Sequence, residues 1–392
     1  MKQIFISIIC ILAFNFSLFS QNSIDSVLLQ IERNNTTLSA LQKRIEADKI
    51  GNKTGIYIQN PEVEFGYLWG NPSEMGNRTD FSISQSFDFP TAYKYKKQIA
   101  NIKNEQVEFE YKKQLKSLHL ETRMLIYDLV YYNALSTELS NRIRHAESIS
   151  KSYKTLFDAG QTNILDYNKA QLNLLNLTKE LESLNIEKKA LLGELSRLNA
   201  GIPIDFTESE FQPIIVITDF EQWYQQAEQK NPILNWLIKE IEIIEQQVNL
   251  DKAMNLPKLQ AGYTSETVID QKFKGITVGL SIPLWENKNK INYAIANTVA
   301  LENLAIDNKV QLYNKLKVLH TKATELQSSS TEYKSKLQSF NNSELLKKAL
   351  DMGEITLIDY ILELSIYYES INKLLILERD MNKAIAELSY YN

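Results

Sequence analysis

From Thr91 to Leu192 the chain holds no proline and one glycine, Gly160; from Leu284 to Asn392 it again holds no proline and one glycine, Gly353. Glycine and proline are the strongest punctuators of local structure, so stretches this long without them read as long helices. Most of the other breakers crowd into 51–90 (Gly51, Gly55, Pro61, Gly66, Gly70, Pro72, Gly76, Pro90) and 257–283 (Pro257, Gly262, Gly275, Gly279, Pro283). Long helices therefore alternate with two short irregular or β regions. The segment from Thr91 to about Asp158 alone is ~100 Å of helix at 1.5 Å per residue, longer than a globular domain is wide. Twelve glycines in 392 residues is well below ordinary usage, which excludes an all-β barrel built from this chain alone.

The first twenty residues read as an export signal, with Lys2 as the positive region, an apolar run from Ile4 to Phe19, and Ser20 at a cleavage point before Gln21. Cys10, the only cysteine, lies inside that run, so no disulfide framework, cysteine zinc site or lipid anchor is expected. No later stretch is long and apolar enough for a spanning helix. A composition of 44% hydrophobic and 23% charged residues excludes wholesale disorder, and a net charge of −5 leaves no global basic surface for nucleic acid.

The long segments carry a coiled-coil pattern. Tyr111, Leu115, Leu118, Thr122, Leu125, Leu129, Tyr132, Ser136, Leu139 and Ile143 follow 4-3 spacing, with mixed charges such as Lys112, Lys113, Lys116 and Glu121 on the other faces. The chain is also internally duplicated. Gly160-Gln161-Thr162-Asn163-Ile164-Leu165-Asp166-Tyr167 matches Gly353-Glu354-Ile355-Thr356-Leu357-Ile358-Asp359-Tyr360 at an offset of 193. Gly193-Glu194-Leu195-Ser196 matches Ala386-Glu387-Leu388-Ser389, and Asn199 matches Asn392, at the same offset. Upstream the offset is 196: Pro61 with Pro257, Gly66-Tyr67 with Gly262-Tyr263, Asn35 with Asn231. Each repeat reads helix, two strands, long helix, glycine turn, returning helix. The first repeat (21–199) takes strands at about 61–69 and 80–89 and helices at about 91–158 and 163–199. A linker (200–217) with one short extended piece precedes the second repeat (218–392), with strands at about 257–265 and 275–284 and helices at about 287–350 and 356–391.

The breaker-rich regions alternate with a period of two. Val63, Phe65, Tyr67 and Trp69 point one way; Phe81, Ile83, Phe87 and Phe89 alternate with Ser82, Ser84, Ser86 and Asp88; Leu259, Ala261 and Tyr263 oppose Lys258, Gln260 and Thr264; Ile276, Val278, Leu280, Ile282 and Leu284 oppose Thr277, Gly279 and Ser281. Strands of about nine residues with one apolar face and terminal aromatics suit a transmembrane barrel. An ordinary two-faced sheet packed on its own helices shares this pattern, although the small polar Ser82-Ser84-Ser86 face argues against it. Four strands cannot close a barrel, and open edges are not tolerated in lipid, so a barrel would have to be shared between chains.

Other polar residues give no chemistry. His119, His145 and His320 stand singly on predicted helices, and the methionines form no pair. There is no phosphate loop, nucleophile elbow or cofactor fingerprint, so neither an enzyme nor a metal or cofactor protein is expected.

Two copies of helix, hairpin, long helix, glycine turn and returning helix resemble the TolC family of outer-membrane efflux proteins. The resemblance covers nearly the whole mature chain. It is most specific at Leu156-Phe157-Asp158-Ala159-Gly160 to Asp166, at Leu350-Asp351-Met352-Gly353 to Asp359, at Leu191-Leu192-Gly193-Glu194 and at Ser281-Ile282-Pro283-Leu284. It implies a homotrimer whose α-helical barrel extends into the periplasm from a shared 12-strand barrel in the outer membrane. It implies a passive exit duct of a tripartite efflux system for small molecules or metal ions. The partners would be a periplasmic adaptor (membrane fusion) protein and an inner-membrane pump of the resistance-nodulation-division type. Outer-membrane lipid would meet Val63, Phe65, Tyr67, Trp69, Phe81, Ile83, Phe87, Ile276, Val278, Leu280 and Ile282. Adaptor-docking tips would include Gly160, Asp166, Gly353 and Asp359, and Asp359 with Glu363 would line a periplasmic aperture. Asp166 also suits a helix cap. Two departures stand out: Leu362 replaces a second family aspartate nine residues after the glycine, and Ile355 a basic residue two after it. Type I protein secretion on the same architecture, and a periplasmic coiled-coil spacer, are the alternative functions.

Overall fold

The computed structural model describes residues 24–391 apart from residue 215; the expected signal with Cys10, and Asn392, lie outside the described residues. The order of elements is α1 (Ile24–Asn34), α2 (Thr36–Gly51), β1 (Glu62–Leu68), β2 (Arg78–Phe87), α3 (Pro90–Asp158), α4 (Ile164–Leu198), α5 (Phe220–Lys230), α6 (Pro232–Met254), β3 (Lys258–Val268), β4 (Gln271–Ser281), α7 (Lys290–Ser339), α8 (Ser343–Asp351) and α9 (Leu357–Tyr390). The two repeats are not separate bodies. One compact unit combines residues up to 39 with 115–224 and 314–392, and the other combines 40–114 with 225–313, so each draws on both repeats.

The first unit is helical. Tyr131, Leu135 and Leu139 of α3 and Leu184 of α4 form a buried cluster, against which Tyr132, Leu177, Leu181, Phe211 and Leu375 pack. Every residue of the 4-3 seam from Leu115 to Ile143 is buried or half-buried, yet Ile126, Tyr127, Val130 and Ala134 are buried too. The mid-section of α3 is thus covered over a wider arc than one coiled-coil seam. Among the described residues of 200–217 there is no strand, where a short extended piece was expected. Helix side chains bind the linker's carbonyls instead: Asn133 donates to Phe206 and Glu208 (3.3 and 2.9 Å), and Gln327 to Ile214 (3.1 Å). Those bonds replace the ladder that a strand would have supplied.

The helix expected over 287–350 is two helices. It starts at Lys290, and Phe340–Asn342 interrupts it before α8. Asn341 Oδ1 accepts from both the backbone N–H and the hydroxyl of Ser343 (3.2 and 2.7 Å), a local bond that competes with helical pairing.

The second unit contains the sheet, four antiparallel strands in the order β1-β2-β3-β4. Its helices pack through polar contacts such as Asn52 with Asn104 (3.0 Å) and Gln106 with Glu240 (2.6 Å). The second hairpin differs from the expected 257–265 and 275–284: β3 continues to Val268, β4 begins at Gln271, and the connection is the pair Ile269-Asp270. Both turn residues have positive φ (43° and 65°), the backbone twist that fits a two-residue hairpin. Trp69 and Ile282, expected within strands, lie just beyond the strand ends, and β2 stops at Phe87, not 89.

Candidate functional site

Antiparallel register decides which side chains share a face, because residues directly opposite point the same way. Three rows are nearly all apolar: Phe87–Leu259–Leu280, Gln85–Ala261–Val278, and Val63–Ile83–Tyr263–Ile276. Two more rows follow towards the hairpin turns: Phe65–Phe81–Ser265–Lys274 and Tyr67–Thr79–Thr267–Lys272. All nine predicted lipid-facing residues that lie within strands therefore fall on one face. That face is uncovered: Ile276 is 83% exposed, Val278 79% and Phe65 67%. The opposite face carries Ser82, Ser84, Ser86, Thr264 and Thr277, together with an ion-pair cluster in which Arg78 meets Asp80 at 2.8 Å and Glu266 at 3.2 Å. Among the described residues β1 pairs only with β2 and β4 only with β3, which leaves two open edges.

In the first unit the two glycine turns share one construction. Gly160 N–H donates to Phe157 (2.9 Å) and Gln161 N–H to Leu156 (2.8 Å); Gly353 donates to Leu350 (3.0 Å) and Glu354 to Ala349 (2.9 Å). Each is a Schellman closure, which needs positive φ at the glycine, here 70° and 71°. Three residues on, Asn163 and Thr356 cap the returning helices by accepting from the backbone N–H groups of Asp166 (3.0 Å) and Asp359 (3.2 Å). Each carboxylate answers in kind. Asp166 accepts from the Asn163 amide (2.9 Å), and Asp359 from the Thr356 backbone and hydroxyl (3.2 and 2.6 Å), a capping box. Asp359, read from the sequence as an aperture residue, thus also holds the start of α9, and Glu363 is exposed one turn further along. A Cβ added at Gly353 would meet nothing within 4 Å, so only its φ resists substitution. Gly353→Ala should destabilise by about 1–2 kcal/mol, the left-handed penalty alone, measurable as a lower thermal midpoint without loss of helix content.

The surroundings of the turns differ. Phe157 stacks on Tyr167 at 5.7 Å beside the first, whereas Tyr360, the counterpart of Tyr167, is buried, and burial pushes its hydroxyl up to about 12. Tyr360 also lines a cavity of about 210 Å³ with Arg142, His145, Glu180, Tyr368 and Asn372. Arg142, only 4% exposed, donates to Tyr368 O (3.3 Å) and Asn372 Oδ1 (2.9 Å) and lies 4.3 Å from the Tyr368 ring. Sequence reasoning missed it; its place on the arc defined by Leu135, Leu139 and Ala146 was the available signal. Of the histidines, His119 meets Glu32 (2.9 Å) and His320 the Ile217 carbonyl (2.6 Å). Among the described residues no three His, Cys, Asp or Glu side chains cluster as metal ligands, and no helix is long and apolar enough to cross a membrane.

No protein-family model and no curated protein matches this sequence. Solved structures do. CmeC, an outer membrane channel of Campylobacter jejuni, superposes with a TM-score of 0.74 at 14% identity, over 94% of this chain and 85% of that one. CusC, described with transmembrane channel formation, gives 0.78 at 11% identity, over 96% and 93%. The open state of the Neisseria gonorrhoeae MtrE outer membrane channel gives 0.75 at 10% identity, over 94% and 88%. This chain has the fold of an outer-membrane channel. The channel fold agrees with the TolC-family resemblance and with the mainly helical class carrying a small sheet. At these identities the agreement concerns the fold, and the exposed sheet face and paired turns are what this chain itself adds.

Proposed function

We propose that the chain is the outer-membrane exit duct of an efflux system, a passive channel reaching into the periplasm. The observation that carries this reading is the sheet: one uncovered apolar face, one small polar face and two unpaired edges. Exposed apolar area on that scale asks for a non-aqueous neighbour. Unpaired backbone in hydrocarbon costs several kcal/mol per group, so the edges must meet those of further copies. Three copies sharing twelve strands is the arrangement that the family resemblance supplies. The glycine turns are the proposed docking points for a periplasmic adaptor, and an inner-membrane pump would supply the energy, since nothing in the sequence reads as a nucleotide site.

The native mass of the mature chain, extracted from outer membranes in mild detergent, tests this reading. Three chains per particle is the expected result; a monomer that leaves the membrane without detergent overturns it. The aperture role of Asp359 needs a variant that spares the cap. Asp359→Asn keeps a capping oxygen and removes the charge, so it should raise single-channel conductance and weaken block by multivalent cations. Asp359→Ala removes both and should in addition lower the thermal midpoint. Unchanged traces for Asp359→Asn would locate the constriction elsewhere.

A further inference from the structure

The charges of the sheet are sorted by face. Its four acids, Glu62, Glu64, Asp80 and Glu266, all lie on the polar face, where Arg78 and Lys258 are also found. The apolar face has no acid. It carries two cations, Lys272 and Lys274, both exposed, and neither makes an ion pair among the described residues. They continue the apolar row of β4 without a break in alternation: Leu280, Val278 and Ile276, then Lys274 and Lys272. The row on β3 changes character at the same level, from Leu259, Ala261 and Tyr263 to Ser265 and Thr267. On β3 and β4 the apolar band therefore ends in a short cationic step, with Tyr263 at its border, while Phe65 and Phe81 carry it on across β1 and β2 at the level of Lys274.

The end at which this happens is defined. All four strands connect to helices at the Phe87–Leu259–Leu280 end, and both hairpin turns lie at the other. If the sheet spans a bilayer, Lys272 and Lys274 emerge at the headgroups of the leaflet away from the helices. A lysine there can extend its ammonium along the surface while its stem stays on the apolar side. On an acid-free face, the complementary partner is an anion held at that depth.

We propose that Lys272 and Lys274 bind the phosphorylated headgroup of a lipid in the leaflet far from the helical region. The proposal rests on the membrane-spanning reading above and adds to it a lipid class and two residues. Each lysine near a charged surface changes affinity roughly fivefold.

The test compares lipid phosphorus bound per protein after extraction of the full chain from outer membranes in mild detergent. Lys272→Gln with Lys274→Gln should lower retention by more than tenfold relative to the parent, while Lys272→Arg with Lys274→Arg retains it. Lys258→Gln, on the other face, should leave it unchanged. Competition with inorganic phosphate separates the sources: a headgroup held by its acyl chains at the band edge resists displacement, and displacement by millimolar phosphate would overturn the lipid assignment. Equal lipid phosphorus in parent and double Gln variant, with both recovered from membranes, overturns the proposal and leaves the channel reading standing. Recovery of the parent without detergent overturns both, and fractionation alone reveals that outcome.

Discussion

Val278→Arg should abolish recovery of the chain from the outer membrane, whereas Thr277→Arg, one residue away, should leave it there. Val278 is 79% exposed in the middle of the apolar rows, and Thr277 projects from the opposite face. A guanidinium forced into the centre of a lipid-facing band costs about 2–4 kcal/mol, and the proposed three-copy barrel meets that cost at three places. On the polar face the same group enters a region already holding Arg78, Asp80 and Glu266, where water or a carboxylate can solvate it. The comparison is read by membrane fractionation and by native mass in mild detergent. Like behaviour of the two variants would show that the faces do not meet different solvents, and the barrel would have to be abandoned. An ordinary packed sheet predicts the reverse order of tolerance, since the exposed face would then be the wet one.

Gly262→Val is expected to be the most damaging substitution of a glycine inside the sheet. A Cβ at Gly262 would lie 2.8 Å from the Ile83 carbonyl oxygen and 2.7 Å from Thr277 Oγ1. The threonine can rotate away, but the carbonyl belongs to β2, and β2–β3 is the only pairing that joins the two hairpins. Shifting that strand by even a few tenths of an ångström strains several ladder bonds at once. Overpacking of this kind costs about 1–3 kcal/mol. Gly275→Val provides the contrast: on β4, with nothing within 4 Å of its Cβ, it should be neutral or slightly stabilising because it removes a flexible residue from a strand. The thermal dissociation midpoint of the detergent-solubilised assembly measures both, and a Gly262→Val assembly as heat-resistant as the parent would contradict the steric account.

Which parts of this molecule could be read from residues alone follows from how local their causes are. The long helices are announced by missing glycine and proline, and the sheet faces by strict alternation. Both turns are announced by a glycine at a helix end. What escaped depended on context. The stretches Glu266–Val268 and Gln271–Lys274 are polar enough to look like loop, yet partner strands hold both in the ladder. Ile269-Asp270 carries none of the usual turn glycine or asparagine. The interruption at Phe340–Asn342 goes with the Asn341 side chain, whose local bonds to Ser343 compete with helix bonds. Asp359 was read for its charge, while its nearest partners show a cap; a Thr-x-x-Asp spacing was present and legible. Arg142 went unread because burial of a cation is decided by helices far away in sequence.

The open edges of β1 and β4 bear on the order of events as well as on the final state. A lone copy entering a bilayer would expose two rows of backbone groups to hydrocarbon, so it has no resting place there as an intermediate. Insertion and association must then be one step, and the stability of the sheet becomes a function of chain concentration, as for any obligate oligomer. Dilution should dismantle the strands before the helices, whose backbone groups are satisfied within each chain.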